Sequence, residues 1–272
     1  MLNPPASPLK FPRLLLTGAG GNLGQELRPR LKAYCDVLRV SHRRDLGAAA
    51  AGEEVHTAAL EDADQMMALL DGVSAVVHMG GVSTEQAWAP ILAGNIVGMV
   101  NLYEAARLKG VKRIVFASSN HVTGFYRQDE VVNTRMPPKP DGFYGLSKAF
   151  GEDLSRLYFD RYGIETACVR IGSSFPEPRD RRMLATWMSY DDLHRLITAC
   201  LTTPVLGHSI IYGTSDNAVS WYDNHLARHI GYRPQDSSDV FRDAVYARTP
   251  EPDLQDPAVQ FQGGGFVKIG PL

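Results

Sequence analysis

Short apolar runs alternate along the chain with longer stretches of helical period, and most of the runs end in small or polar residues. The first run, Arg13 to Thr17 (R-L-L-L-T), stops at a glycine cluster, as a strand buried on both faces does when it feeds a tight turn. Similar runs stand at Asp36 to Val40, weakly near Val55 to Ala58, and at Ala75 to His78, Lys112 to Ala117, Glu165 to Ile171 and His208 to Tyr212. Between them apolar side chains recur on one helical face. Leu27 and Leu31 follow the first run; Met66, Leu69 and Leu70 lie in a helix predicted from Asp62 to Leu70. Ile91, Ile96, Leu102 and Ala105 lie in one from about Pro90 to Leu108. A further helix opens after Asp141, runs through Phe150, Leu154, Leu157 and Tyr158, and stops at Gly163. Ser189, with Asp191 and Asp192 behind it, reads as the cap of a helix carrying Leu193, Leu196 and Ile197. Trp221 to Ile230 reads as a short helix, Ala48 to Glu54 as a flexible surface insertion, and the end from Thr249 as a Pro/Gly-rich segment.

Strands that alternate with helices imply an α/β fold: a Rossmann-type, doubly wound parallel sheet, with a small C-terminal substrate-binding elaboration. At 272 residues one domain over 12–272 accommodates the whole pattern, with substrate-binding segments mainly in 172–192 and the C-terminal part. Residues 1–11 hold three prolines and no continuous apolar core, and read as a disordered leader rather than a signal peptide.

Composition narrows the function classes. Hydrophobic content of 44% and charged content of 21% are those of an ordinary globular enzyme. A formal charge of -2 with no basic stripe offers nothing to nucleic acid or to an acidic membrane surface. No apolar run is long enough to span a bilayer. Cys35, Cys168 and Cys200 show neither zinc-knuckle nor disulfide spacing, no metal is expected, and the chain reads as cytoplasmic.

The first strand is followed by T-G-A-G-G-N-L-G, which places Gly18, Gly21 and Gly24 in a G-x-x-G-x-x-G spacing at the start of a helix. Directly after a strand, such a turn lets backbone approach a pyrophosphate that rests on the helix N-terminus. The second strand ends in Ser41-His42-Arg43-Arg44, with no acid until Asp45. An acid there would hold the adenosine ribose; two guanidiniums could instead hold a 2′-phosphate, or be solvated loop charges. Small-residue loops close two more strands, Met79-Gly80-Gly81-Val82-Ser83 and Gly172-Ser173-Ser174. Ser118-Ser119-Asn120-His121 gathers hydroxyls, an amide and an imidazole at the same sheet edge. Tyr144 and Lys148 stand one helical turn apart in D-G-F-Y-G-L-S-K. A neighbouring ammonium favours a phenolate, which suits proton removal from an alcohol as hydride leaves its carbon. A helix-surface Tyr beside a Lys has the same spacing. Asn95, inside a helical pattern, reads as a core polar bridge.

Taken together, the glycine turn, a Ser at a strand end and the Tyr-x-x-x-Lys helix resemble the extended short-chain dehydrogenase/reductase family. Longer segments resemble uronate dehydrogenases within it: I-V-F-A-S-S-N-H at 114–121, D-G-F-Y-G-L-S-K-A-F-G-E-D-L at 141–154, R-I-G-S-S-F-P-E-P at 170–178, R-M-L-A-T-W-M-S-Y-D-D at 182–192, N-L-Y-E-A-A-R at 101–107 and F-Q-G-G-G-F-V at 261–267. The resemblance implies that Tyr144 is the general base at the anomeric hydroxyl of a hexuronic acid. Lys148 would lower its pKa and hold the nicotinamide ribose, and Ser119 would bond the reacting oxygen, giving an aldarolactone. It implies sugar contacts from Ser83, Asn120, His121 and Ser173, and a carboxylate clamp at Arg182. Gly18, Gly21, Asn22, Leu23 and Gly24 would meet the pyrophosphate, with Gly80 at the neighbouring strand edge and Asn95 supporting the Lys148 region.

Two departures fall on the adenosine side. His42 stands where the family carries an acid, and Ala59-Leu60 stands where it usually has Asp-Leu near adenine. The family uses NAD, but His42, Arg43 and Arg44 are what tolerance of NADP would look like. The partners expected are a small uronic acid and further copies of the chain, and neither nucleic acid nor membrane. Competing readings are a nucleotide-sugar epimerase or dehydratase, which generally has a larger C-terminal domain, and a dinucleotide-binding redox sensor that has lost its chemistry.

Overall fold

The computed structural model describes residues 10–270. Seven strands form one sheet: β1 (Phe11–Thr17), β2 (Cys35–His42), β3 (Glu53–Thr57), β4 (Ala75–His78), β5 (Arg113–Ser119), β6 (Glu165–Ile171) and β7 (His208–Gly213). Their order across the sheet is β7-β6-β5-β4-β1-β2-β3, with every pairing parallel. The order reverses at β1, so the crevice above the carboxyl ends of β1 and β4 is the switch point where such sheets take ligands.

Helices cover both faces. α1 (Asn22–Leu31) and α5 (Tyr190–Thr202) pack on one, where Leu27, Leu31, Leu193, Leu196 and Ile197 meet Leu14, Leu16, Val77, Val115 and Val169. α2 (Ala63–Leu69), α3 (88–109) and α4 (Phe143–Tyr162) lie on the other, against Leu15, Val76, Ile114, Phe116 and Cys168. Ser189 caps α5 by accepting from Asp192 N, as the sequence pattern predicts, and Asp62, read from the sequence as the first helical residue, caps α2 by accepting from Gln65 N.

Several boundaries differ from the sequence expectation. Phe11 is buried and paired with Cys35 in β1, so the leader ends earlier than 11; its residues 1–9 lie outside the described residues. Glu53 and Glu54 belong to β3, not to a surface insertion, because Arg28 and Lys32 hold Glu53 while Arg39 and Arg13 hold Glu54. α3 opens at Trp88 and widens to a π-helical stretch at Leu92–Val97, where the Asn95 side chain bonds outside the helix, to Val82. Leu157 faces outward. Trp221 to Ile230 is not a helix throughout. Tyr222–Asp223 pairs with Val132–Asn133, and only His225–Ile230 coils, as a 3-10 turn. Asn224 enforces this by bonding both the N–H and the C=O of Tyr212.

Beneath the carboxyl edge of the sheet lies a buried ion pair. Glu152 of α4 accepts from Arg170 of β6 through both oxygens, at 2.9 and 2.8 Å, and from Ser118 at 2.6 Å. The Arg170 side chain is 2% exposed and that of Glu152 4%. Removing one member leaves the other charge buried alone, which costs about 3–5 kcal/mol. Glu152→Gln therefore lowers unfolding free energy by that order in urea titrations, and a loss below about 1 kcal/mol would show that the pair does not hold the helix to the sheet.

Candidate active site

Tyr144 and Lys148 lie on the buried face of α4, one turn apart, with Ser119 at the end of β5 beside them. The helix opens on a carboxylate: Glu85, from the loop after β4, accepts from Phe143 N at 2.9 Å and Tyr144 N at 2.8 Å. This satisfies two free N–H groups and places negative charge at the positive end of the helix dipole. Lys148 Nζ donates to Ala117 O at 2.8 Å and lies 5.0 Å from the Phe116 ring centroid and 5.6 Å from that of Tyr144.

Both groups of the pair are shifted by burial. Burial pushes the Tyr144 phenol up to about 12; hydrogen bonding with Ser119 offsets this only in part. Burial likewise pulls the Lys148 ammonium down to about 8. Burial is the largest cause at both groups, and at Lys148 it is the one cause found.

Around them stand the residues expected to meet the sugar. Ser119 Oγ donates to Asn120 Oδ1 at 3.5 Å and accepts from His121 N at 3.2 Å. Asn120 Nδ2 donates to Tyr222 OH at 3.2 Å. His121 is buried, edge-on to Tyr144 with 5.9 Å between ring centroids. Ser173 bonds Thr186 at 2.9 Å and accepts weakly from Arg182 Nη1 at 3.4 Å. Arg182 Nε donates to Gln262 O at 2.6 Å, while its Nη2 is buried and has no partner among the described residues. Ser83 is exposed, two positions before Glu85 in the same loop. The structure thus brings Ser119, Asn120, His121 and Tyr144 together, with Arg182 and Ser173 joined to each other.

On the dinucleotide side, Gly18 has φ +68 and packs so closely on Met79 and Gly80 that a Cβ would lie 2.6 Å from Met79 backbone; at Gly24 a Cβ would lie 2.2 Å from Gly18 O. These two glycines are required by the turn itself. Gly21, the N-cap of α1, is less confined, and no side chain caps the helix there. The first-turn positions Asn22, Leu23 and Gly24 therefore fit a pyrophosphate. Beside them a hollow of about 400 Å³ is lined by residues that include Gly20, Gln25, Arg28, His42, Arg44 and Asp45; Arg43 is not among its lining residues. His42 Nδ1 accepts from Arg44 N at 3.0 Å, and burial together with Arg44 and Arg43 lowers its pKa. Leu60 packs over Gly80 and Gly98 at the far edge. Asn95 bonds Val82 N, Val82 O and Ser147 Oγ at 2.7, 3.0 and 2.9 Å, so it ties the β4 loop to α4 as a core bridge.

Sequence reasoning missed Glu85, Asp141, Tyr222, Gln262 and Phe266. Asp141 Oδ2 bonds His121 Nδ1 at 2.6 Å, and Phe266 stacks on His121 with centroids 3.8 Å apart. Asp141 begins D-G-F-Y and Phe266 lies in F-Q-G-G-G-F-V, so motif context was available for both. Glu85 carries no local signal, since its partners are 58 and 59 positions away.

The pattern of the NAD dependent epimerase/dehydratase family matches residues 14–204. A uronate dehydrogenase of Pseudomonas putida is 56% identical over 96% of this chain and 98% of its own. The crystal structure of a glucuronic acid dehydrogenase from Chromohalobacter salexigens superposes with TM-score 0.94 at 47% identity, covering 96% of this chain and 98% of that one. A mutant of an Agrobacterium tumefaciens uronate dehydrogenase, complexed with NAD, superposes with TM-score 0.93 at 46% identity over the same shares.

The buried lysine has a consequence for stability. Its value in the folded chain, about 8, lies below the ordinary 10.5. Between those values the unfolded chain holds more protons, so this group makes stability rise with pH there. Lys148→Met removes that dependence, and its stability advantage over the parent protein narrows by roughly 2 kcal/mol between about pH 7 and pH 9.5. Urea titrations at both pH values test this; a difference independent of pH would refute a desolvated Lys148.

Proposed function

The chain belongs to the NAD dependent epimerase/dehydratase family and within it to the uronate dehydrogenases, and on that premise we propose that it oxidises the anomeric carbon of a hexuronic acid to the aldarolactone. The observation that carries the substrate class is Arg182: a guanidinium with a buried, unpartnered Nη2 awaits an anionic acceptor. Its charge lowers the pKa of both His121 and Tyr222, which supports a role beside Tyr144.

In this reading Arg182 and Ser173 bind the uronate carboxylate, and Ser119 and Asn120 bond the oxygen on the reacting carbon. Ser83, His121 and Tyr222 bound the remaining hydroxyls. Tyr144 removes the proton of the anomeric hydroxyl as that carbon gives up its hydrogen with two electrons; the C–O bond becomes a carbonyl and the ring oxygen makes the product a lactone. Bound oxidised nicotinamide supplies the hydride acceptor. Lys148, held on Ala117 O, places its charge near the phenol and the nicotinamide ribose. The uncapped start of α1 takes the pyrophosphate, and Leu60 with Gly80 bounds the adenine side. Tyr144→Phe lowers kcat by at least about a hundredfold while leaving NAD affinity intact. The measurement is reduced-nicotinamide absorbance with glucuronate and with galacturonate. Full activity in the variant refutes the base, and silence of the parent protein with both sugars refutes the substrate class.

NAD is the family's cofactor; acceptance of NADP is the finer reading. His42 replaces the ribose-binding acid, and Arg44 borders the adjoining hollow with its guanidinium unbonded among the described residues, whereas Arg28 is committed to Glu53 at 2.7 Å. A 2′-phosphate there gains a charge-assisted partner. Arg44→Ala therefore lowers kcat/KM with NADP roughly tenfold and leaves NAD nearly unchanged. A strong NAD preference in the parent protein, unaltered in the variant, refutes this.

Two further expectations belong to the same proposal. Trp88, Leu92, Val100, Leu146 and Leu157 leave apolar surface exposed on α3 and α4, which supports a homo-oligomer. No helix among the described residues is long and apolar enough to cross a membrane, and the three cysteines are free and buried, which supports a reducing, cytoplasmic setting.

A further inference from the structure

Asp141 is a carboxylate the mechanism above does not use. Its side chain is fully buried, immediately before the N-cap of α4. Three separate segments close on it with bare backbone. A Cβ at Gly124 would lie 2.0 Å from Oδ2, one at Gly263 2.1 Å from the same oxygen, and one at Gly145 3.2 Å from Oδ1. Oδ2 bonds His121 Nδ1 at 2.6 Å, and Oδ1 has no partner. Burying a carboxylate with one neutral partner is costly, and a neutral side chain of the same shape would often serve stability better. The arrangement therefore calls for a role other than holding the fold.

A carboxylate in its ionised form accepts hydrogen bonds only, and against that form His121 Nδ1 carries the hydrogen of the 2.6 Å bond. In the neutral ring this leaves Nε2 as a bare acceptor. Burial pushes the His121 pKa down despite Asp141 and Glu85, which favour the charged ring, and Arg182 lowers it further. The ring cannot turn away: Phe266 stacks on one face at 3.8 Å, and Tyr144 meets it edge-on at 5.9 Å. Nε2 engages no group among the described residues, and the ring stands beside Tyr144 and within reach of the Arg182 charge, the groups assigned above to the anomeric carbon and to the carboxylate. What a uronate presents between those two ends is ring hydroxyls.

We propose that Asp141 is a positioning residue that locks His121 in the Nδ1–H form, so that Nε2 accepts a hydrogen bond from a ring hydroxyl of the sugar. The hydroxyl part of this statement rests on the uronate reading; the tautomer does not. The site then recognises that hydroxyl as a donor, complementing the donors Asn120 and Arg182 supply elsewhere. An analogue lacking the hydroxyl leaves the buried acceptor unpaired and is rejected.

The test uses long-range ¹H–¹⁵N correlation spectra of the full-length protein labelled at histidine nitrogen, with the His121 signals assigned by their loss in His121→Gln. The expected parent spectrum shows His121 protonated at Nδ1 and bare at Nε2. In Asp141→Asn the amide can donate as well as accept, so the Nδ1–H form is no longer exclusive. KM for the uronate rises roughly tenfold, with a smaller fall in kcat and an unchanged Kd for NAD. A parent spectrum with the hydrogen on Nε2 overturns the proposal, even if the variant fails to fold. So does a variant that keeps exclusive Nδ1–H yet loses activity, since Asp141 would then be merely structural. Absence of uronate turnover in the parent protein, with the Nδ1–H form present, would instead overturn the substrate reading and leave the tautomer standing.

Discussion

The buried pairing of Arg170 with Glu152 is the constraint on which the site's geometry depends. Glu152 stands one turn beyond Lys148 on α4, so the bond that fixes it to β6 also fixes where Tyr144 and Lys148 face. The pair extends sideways. Ser118 of β5 bonds Glu152, and Arg170 donates to Tyr212 OH at 2.9 Å. Tyr212 stacks nearly flat on Tyr222, centroids 4.3 Å apart at 7°, and Tyr222 reaches Asn120. Every link is satisfied by a protein partner, which is the condition under which a buried polar network rigidifies its surroundings. Burial opposes the charge on Arg170, and the acid together with Tyr212 outweighs it and raises the pKa.

Above that network the charges are arranged in two layers. Two carboxylates, Glu85 and Asp141, flank the start of α4, and both are engaged with groups of the protein. One satisfies helix N–H groups and the other an imidazole. Two cations, Lys148 and Arg182, stand where negative charge would arrive from outside the protein. Lys148 is tied only to a carbonyl, and Arg182 keeps one nitrogen unpartnered. Such a site is destabilised by its own desolvated charges until a ligand partners them, the usual cost of preorganisation.

Much of this was legible in the sequence because the signals are local. The apolar runs mark central strands, since both faces of a parallel strand are covered. The glycine turn and the Tyr-x-x-x-Lys spacing lie within single elements. What escaped depends on contacts between distant segments. Glu85 and Asp141 look like loop charges until the fold brings a helix end and an imidazole to them. Trp221 to Ile230 has apolar residues at helical spacing, yet the Asn224 amide mimics a strand's backbone against Tyr212 and draws Tyr222 into an extended pairing. Burial is out of reach for a related reason: the spacing of Tyr144 and Lys148 reports that two groups are neighbours, not how dry their surroundings are.

The turn around Gln262 to Phe266 packs over Arg182, Asp141 and His121, yet it adds no strand to the sheet. Its anchors join distant parts of the chain: Gln262 O to Arg182 across 80 positions, and the Gln262 amide to Arg127 O across 135. Loop closure over such spans is entropically the most demanding part of folding, so these contacts follow the sheet rather than guide it. The chain can therefore hold its sheet and its glycine turn before Arg182, Asp141 and His121 are brought together. Forming the sheet and closing this corner of the molecule become separate events, the second governed by a few long-range hydrogen bonds.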